Sequence, residues 1–142
     1  MSDGKTCCEK LSSCGLALLR VVVGLLFMQH GGQKLFNFPP AAPEHIFPLN
    51  NLLRTAAILE LGGGALILLG LLTRPVAVIL SGEMAVAYFM VHAKRGLWPA
   101  NNGGEVAVLY CFVFLYFAMA GAGACSIDSL CCRGKPSSPP PA

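Results

Sequence analysis

Seven ionisable side chains stand where a chain tolerates charge least. Arg20, His30, Lys34, Glu60, Glu83, His92 and Glu105 lie within or at the ends of stretches otherwise made of Leu, Val, Ile, Ala, Phe and Gly. A charge at mid-span costs about 2.5–3.5 kcal/mol on insertion scales, so charges kept there mark ion pairs, proton relays or ligand sites. A carboxylate such as Glu60 can relay a proton, while His30, Gln33, Lys34 or His92 could donate to a quinone carbonyl or hold a small acid. His30 and His92 could also ligate a haem across two helices, but two histidines without a haem motif argue little for one. There is no nucleophile–base pair, phosphate-cradling glycine loop, dinucleotide fingerprint or nucleic-acid patch.

The rest of the chain dictates how such groups can be positioned. Of 142 residues, 55% are hydrophobic and 12% charged, where a soluble domain carries about a quarter charged. This excludes a water-soluble domain, a disordered chain, a collagen-like fibre and a polybasic nucleic-acid binder. The net +3 comes from ten Lys and Arg against seven Asp and Glu, scattered along the chain. A lipid bilayer is the partner that remains. Four apolar stretches, roughly 14–36, 54–72, 75–93 and 105–125, each have about 19–23 residues, enough at 1.5 Å per residue for a hydrocarbon core of about 30 Å. Backbone inside lipid must satisfy its own hydrogen bonds, and barrel-like alternation is absent, so the stretches are expected to be helices.

The expected fold is all-α: a four-helix transmembrane bundle, antiparallel up-down-up-down, with both termini on one face. Residues 1–13 form an N-terminal Cys-containing tail, 14–126 the membrane domain, and 127–142 a disordered Cys- and Pro-rich tail ending in Pro-Pro-Pro-Ala. Pro39, Pro40, Pro43 and Pro48 make 37–51 an outer loop, Thr73-Arg74-Pro75 a tight connection, and Lys94 to Gly104, which holds Trp98 and Pro99, a turn at the far interface. The first stretch is retained, because no small-residue cleavage site follows it and the lipoprotein-like Leu11-Ser12-Ser13-Cys14 precedes the apolar run. Lys5, Lys10, Arg74, Arg133 and Lys135 lie on the terminal side, and Lys34, Arg54, Lys94 and Arg95 on the other. This margin of one favours cytoplasmic termini in a plasma (inner) membrane.

Depth then sorts the ionisable groups into two tiers. Counted from the terminal face, Arg20 comes about 9 Å deep and Glu83 about 12 Å, against about 21 Å for Glu60, 24 Å for His30 and 25 Å for His92. The first tier suggests an Arg20–Glu83 structural ion pair fixing helix register. The second gathers His30, Gln33, Lys34, Glu60, His92, Asn102 and Glu105 around a ligand, with Glu60 and His30 the candidates for catalysis. His92 joins that cluster only if its helix ends or bends there, since nine residues from Glu83 is half a turn round an ideal helix. Bland readings stand beside these. Lys34 could snorkel to the interface, and Glu105 could simply complement a helix dipole.

The pattern resembles the DoxX family of small four-span membrane proteins over about Leu16 to Asp128. It rests on Leu19-Arg20, His30-Gly31, Gln33-Lys34-Leu35, Glu60 with Gly62-Gly63, Gly70 with Thr73-Arg74, and Glu83-Met84-Ala85. It continues through His92, Trp98-Pro99, Asn102-Gly103-Gly104-Glu105 and the Gly121–Asp128 stretch. The resemblance implies a redox-associated membrane protein, since some members are subunits of quinone-linked sulfur oxidation and others are implicated in complexes that handle oxidative stress. Protein partners or a homo-oligomer are implied with it. A non-enzymatic scaffold and a small proton-coupled carrier are the competing functions.

Cysteine usage is particular to this chain. Cys7-Cys8 and Cys131-Cys132 flank the membrane domain on one face, but adjacent pairs lack the C-x₂-C spacing of strong metal sites, so no metal is expected. Free thiols or reversible acylation fit their juxtamembrane position. Cys111 reads as a small apolar filler.

Overall fold

The computed structural model describes residues 3–40 and 50–132, with side chains over 11–40 and 50–130. All elements among the described residues are helical: α1 (Asp3–Phe36), α2 (Asn51–Leu69), α3 (Thr73–Ala87), α4 (Pro99–Asn102), α5 (Glu105–Ala120) and α6 (Ile127–Cys132). α3 runs on through a widened π turn, Tyr88–His92, and a 3-10 turn, Ala93–Arg95. Leu11–Phe36, Asn51–Leu69 and Thr73–Arg95 are long and apolar enough to cross a membrane. α5 is equally apolar but has 16 residues, about 24 Å of helix against a core of about 30 Å.

Local chemistry sets these boundaries, and it moves several of the expected ones. Asn50 caps α2 by accepting from the Leu53 N–H at 2.8 Å, so the helix starts at Asn51 rather than Arg54. It ends at Leu69 rather than Leu72 because Gly70 turns left-handed, φ +66°, and its N–H and that of Leu71 close back on Ile67 and Leu66. The helix expected over 105–125 leaves helical geometry at Gly121. The segment set apart as an N-terminal tail continues α1 back to Asp3, since nothing between Asp3 and Ser13 breaks a helix. Ile127–Cys132, expected to be disordered, is α6. The remainder of that tail, most of the proline-rich loop, and the side chains of Cys7, Cys8, Cys131 and Cys132 lie outside the described residues.

α1 and α2 pack antiparallel with their backbones nearly touching. A Cβ on Gly31 would sit 2.6 Å from both Ala57 O and Leu61 N, and one on Gly24 2.8 Å from Leu68 N. α3 and α5 pair through Ser81, whose hydroxyl donates to Cys111 O at 2.9 Å. Between these pairs lies a core of Phe27, Ile67, Leu80, Phe114 and Phe117, with the Phe27 and Phe114 rings edge-on at 4.8 Å. The outward faces expose Leu18, Leu25, Ile58, Ile79, Phe89, Leu109 and Phe112, a surface suited to lipid and not to water.

Arg20 ties together the end at which α2 turns into α3. It is 1% exposed. Its guanidinium donates to Ile67 O (2.8 Å) and Leu68 O (2.6 Å) at the end of α2, and to Ala122 O (3.0 Å) and Cys125 O (2.9 Å) after α5. The expected Arg20–Glu83 ion pair is therefore not formed: among the described residues, every hydrogen bond of the guanidinium goes to a backbone carbonyl, two at the end of α2 and two in the segment between α5 and α6. Asp128 completes the arrangement. Its carboxylate accepts from the Leu72 and Thr73 N–H groups at 2.8 and 2.9 Å, capping α3, and its own N–H donates to Gly70 O.

Asp128→Ala is expected to cost about 1 kcal/mol, as the loss of a helix cap does. Burial pushes the Asp128 carboxyl up, but the Thr73 and Leu72 N–H groups and the Arg20 charge outweigh it and hold the group below the usual carboxylate range. With the folded value depressed, the cap contributes above the unfolded value of about 3.9 and fades as pH falls through the folded one. Thermal melts in detergent should show wild type and Asp128→Ala converging at acid pH. A gap that stays constant would mean that the carboxylate is not the cap.

Candidate functional site

The antiparallel registers bring one polar group after another to a common level. The contact of Gly31 with Ala57 and Leu61 carries Lys34, one turn on, to Glu60. Lys34 Nζ donates to Glu60 Oε1 at 2.5 Å. Glu60 is 3% exposed. On the next interface Gly63 faces Leu80, so three residues back on α2 and three forward on α3 Glu60 and Glu83 stand side by side. The charges of Glu60 and Lys34 both reach Glu83. On α5, Tyr110 neighbours the Ser81–Cys111 contact. Its ring meets Phe27 at 5.2 Å and stands edge-on to His30 at 6.0 Å, within electrostatic reach of Glu60. Four helices thus contribute His30 and Lys34, Glu60, Glu83, and Tyr110. His30 is exposed and forms the rim.

Among the described residues, three oxygens at this level have no hydrogen-bond donor: Glu60 Oε2 and both oxygens of Glu83, all buried. Buried polar atoms are nearly always satisfied, and an unmet carboxylate oxygen is among the more costly exceptions. The arrangement offers open acceptors beside an ammonium that has further donors to give. It can hold a proton, or a ligand that presents a donor to the carboxylates and an acceptor to Lys34.

The expected tiers are thereby redrawn. Glu83 joins Glu60 instead of Arg20, and the reason is the helix boundaries. Ending α2 three residues early lowers Glu60 by about 4.5 Å, and starting α3 two residues early raises Glu83 by about 3 Å, which nearly levels the two.

Other expected members belong elsewhere. His92 turns away within the π turn, its Nδ1 3.3 Å from Asn102 O and its ring stacked on Tyr88. Its contacts are with Tyr88 and Asn102, whereas the ring contact of His30 is with Tyr110. The Asn102 side chain is buried and used up by its own loop: it donates to Gly96 O (2.7 Å) and Tyr88 Oη (3.3 Å) and accepts from Gly104 N–H (2.7 Å). Its role is to close the α3–α5 connection, helped by Tyr88 Oη donating to Leu97 O at 2.6 Å. Glu105 is exposed in the first turn of α5, where an acid complements the helix dipole. It lines an open outer groove with Pro99, Val106, Leu109 and Phe112. Gln33 is half-buried beside Lys34 and adds no side-chain hydrogen bond among the described residues.

Sequence reasoning passed over Tyr110 and Tyr88. The available signal was a phenol hydroxyl within an otherwise apolar helix, which must find a partner when buried. Among the described residues no three His, Cys, Asp or Glu side chains converge as a metal site requires.

Comparison with known proteins bears on this arrangement. The family model described as DoxX matches residues 15–93. A Haemophilus influenzae protein named only as uncharacterized is 44% identical over 125 residues, 85% of this chain and 93% of the relative. The Escherichia coli "Inner membrane protein YqjF" is 29% identical over 130 residues, 86% and 95% of the two chains. A Bacillus subtilis protein named "Putative oxidoreductase CatD" is 28% identical over 129 residues, 89% and 94%. No solved structure matches the chain significantly.

Proposed function

The chain belongs to the DoxX family, a membrane family, and on that premise we propose that it is a redox-associated subunit binding a quinone-like or small acidic ligand between its helices. The observation that carries the reading is the level formed by His30, Lys34, Glu60, Glu83 and Tyr110, with a part-buried ion pair and three buried carboxylate oxygens that meet no donor among the described residues. Lys34 holds the ligand's carbonyl or acidic oxygen, while Glu60 and Glu83 accept its hydroxyl or proton. His30, at the rim, faces the entry from lipid. The oxidoreductase name of the Bacillus relative supports a redox setting, and the name of the Escherichia coli relative supports an inner membrane. α5 completes a four-span bundle with α1, α2 and α3, both termini on the cytoplasmic face. Electron donors come from a partner subunit.

Purification in mild detergent followed by quinone extraction tests this. Wild type is expected to retain quinone, or to bind an added ubiquinone analogue with quenching of the Trp98 fluorescence. Glu60→Gln keeps the same monodisperse profile and helical signal but loses retention by tenfold or more. Retention equal to wild type in that variant, or none in either, removes the ligand reading and leaves a scaffold whose buried charges only specify packing.

A further inference from the structure

The three unmet oxygens have a consequence in charge and protons that does not depend on which ligand the site takes. Lys34 and Glu60 cancel one another. Glu83 would then stand as an uncompensated carboxylate between helices. The charged groups that reach it are Glu60 from α2 and Lys34 from α1; around that pair, Tyr110 from α5 lies within reach of Glu60 and His30 from α1 stands against Tyr110. Of these, Lys34 is committed to Glu60, His30 is at the exposed rim, and Tyr110 is neutral. None gives Glu83 a donor. An isolated buried carboxylate is too costly to persist and takes up a proton instead. The acid so formed needs an acceptor, and the unmatched oxygen at the same level is Glu60 Oε2.

We propose that Glu60 and Glu83 hold one exchangeable proton between them, and that Lys34 sets the number at one. The proton comes from water and bonds to a Glu83 carboxylate oxygen, whose O–H then donates to Glu60 Oε2. This satisfies two of the three unmet oxygens and leaves the site neutral. The neutrality has a mechanistic corollary. Any acidic ligand that draws Lys34 away from Glu60 exposes a second carboxylate, and a second proton must enter with the anion. The inference rests on the site of the proposed function but not on the quinone.

Infrared difference spectroscopy of the purified protein in detergent reads this directly, with no ligand added. At neutral pH wild type is expected to show one protonated-carboxyl C=O band that shifts in D₂O. The band disappears in Glu83→Gln, persists in Glu83→Asp, and doubles in intensity in Lys34→Gln, where both acids are protonated. Gel filtration and circular dichroism confirm that each variant compared is folded. The absence of a protonated-carboxyl band in wild type, its survival in Glu83→Gln, or an unchanged intensity in Lys34→Gln overturns the proposal. A protein that retains quinone yet lacks the band would refute the shared proton alone. The band without quinone would refute the ligand reading alone.

Discussion

Arg20→Ala is expected to be the most damaging single substitution in the chain, costing roughly 3–5 kcal/mol of stability. The guanidinium is buried and charged, and four backbone carbonyls from two separate segments depend on it. Alanine leaves those oxygens without the charge-assisted bonds they now receive, in a place where water enters poorly. Ile67 O keeps the N–H of Gly70, which holds the estimate below the sum of four losses. Arg20→Lys recovers only part, because an ammonium cannot fork toward the end of α2 and the segment after α5 at once. Denaturation of the detergent-purified variants measures the effect. Since Arg20 and Glu83 have no contact, the double variant with Glu83→Ala should lose the sum of the single losses to within about 0.5 kcal/mol. Recovery in the double variant would reinstate the ion pair and contradict the geometry.

That expectation marks where the sequence is legible and where it is not. Membrane helices were readable because length, apolar runs and the cost of unpaired backbone in lipid all point one way, and Leu11–Phe36, Asn51–Leu69 and Thr73–Arg95 follow. The depth of a charge was less readable. It depends on where a helix ends, and Gly70 ends α2 three residues before the hydrophobic run does. An error of two or three residues is harmless for recognising a span, but it was enough to assign Glu83 to the wrong partner. The partner itself was beyond sequence reasoning of this kind, which looks for an opposite charge, whereas Arg20 is satisfied by carbonyls whose availability appears only once the helix ends are known. Likewise His92 and Asn102 carry ligand-like chemistry, but the π turn at Tyr88 directs both into closing a loop. Lys34 and Glu60, expected in one tier, do meet, because the close approach of Gly31 to Ala57 and Leu61 fixes the α1–α2 register independently of where either helix ends.

Gly31→Ala joins packing to chemistry and is expected to cost about 1–3 kcal/mol, as overpacking a tight contact does. The new methyl group would lie 2.6 Å from Ala57 O and Leu61 N, both backbone atoms that cannot swing aside. α1 must therefore move off α2, and Lys34, three residues further along, is drawn away from Glu60. Stability and the site should fail together, with quinone retention falling alongside the denaturation midpoint. Gly62→Ala provides the control. It places the same methyl group on the facing helix α2, but nothing lies within 4 Å of it, and alanine is the better helix former by up to about 1 kcal/mol. That variant should be as stable as wild type or more so, with the site intact. Equal losses in the two would mean that the glycines serve helix flexibility generally. Loss confined to Gly31→Ala means that close backbone approach is what holds an ammonium against a buried carboxylate.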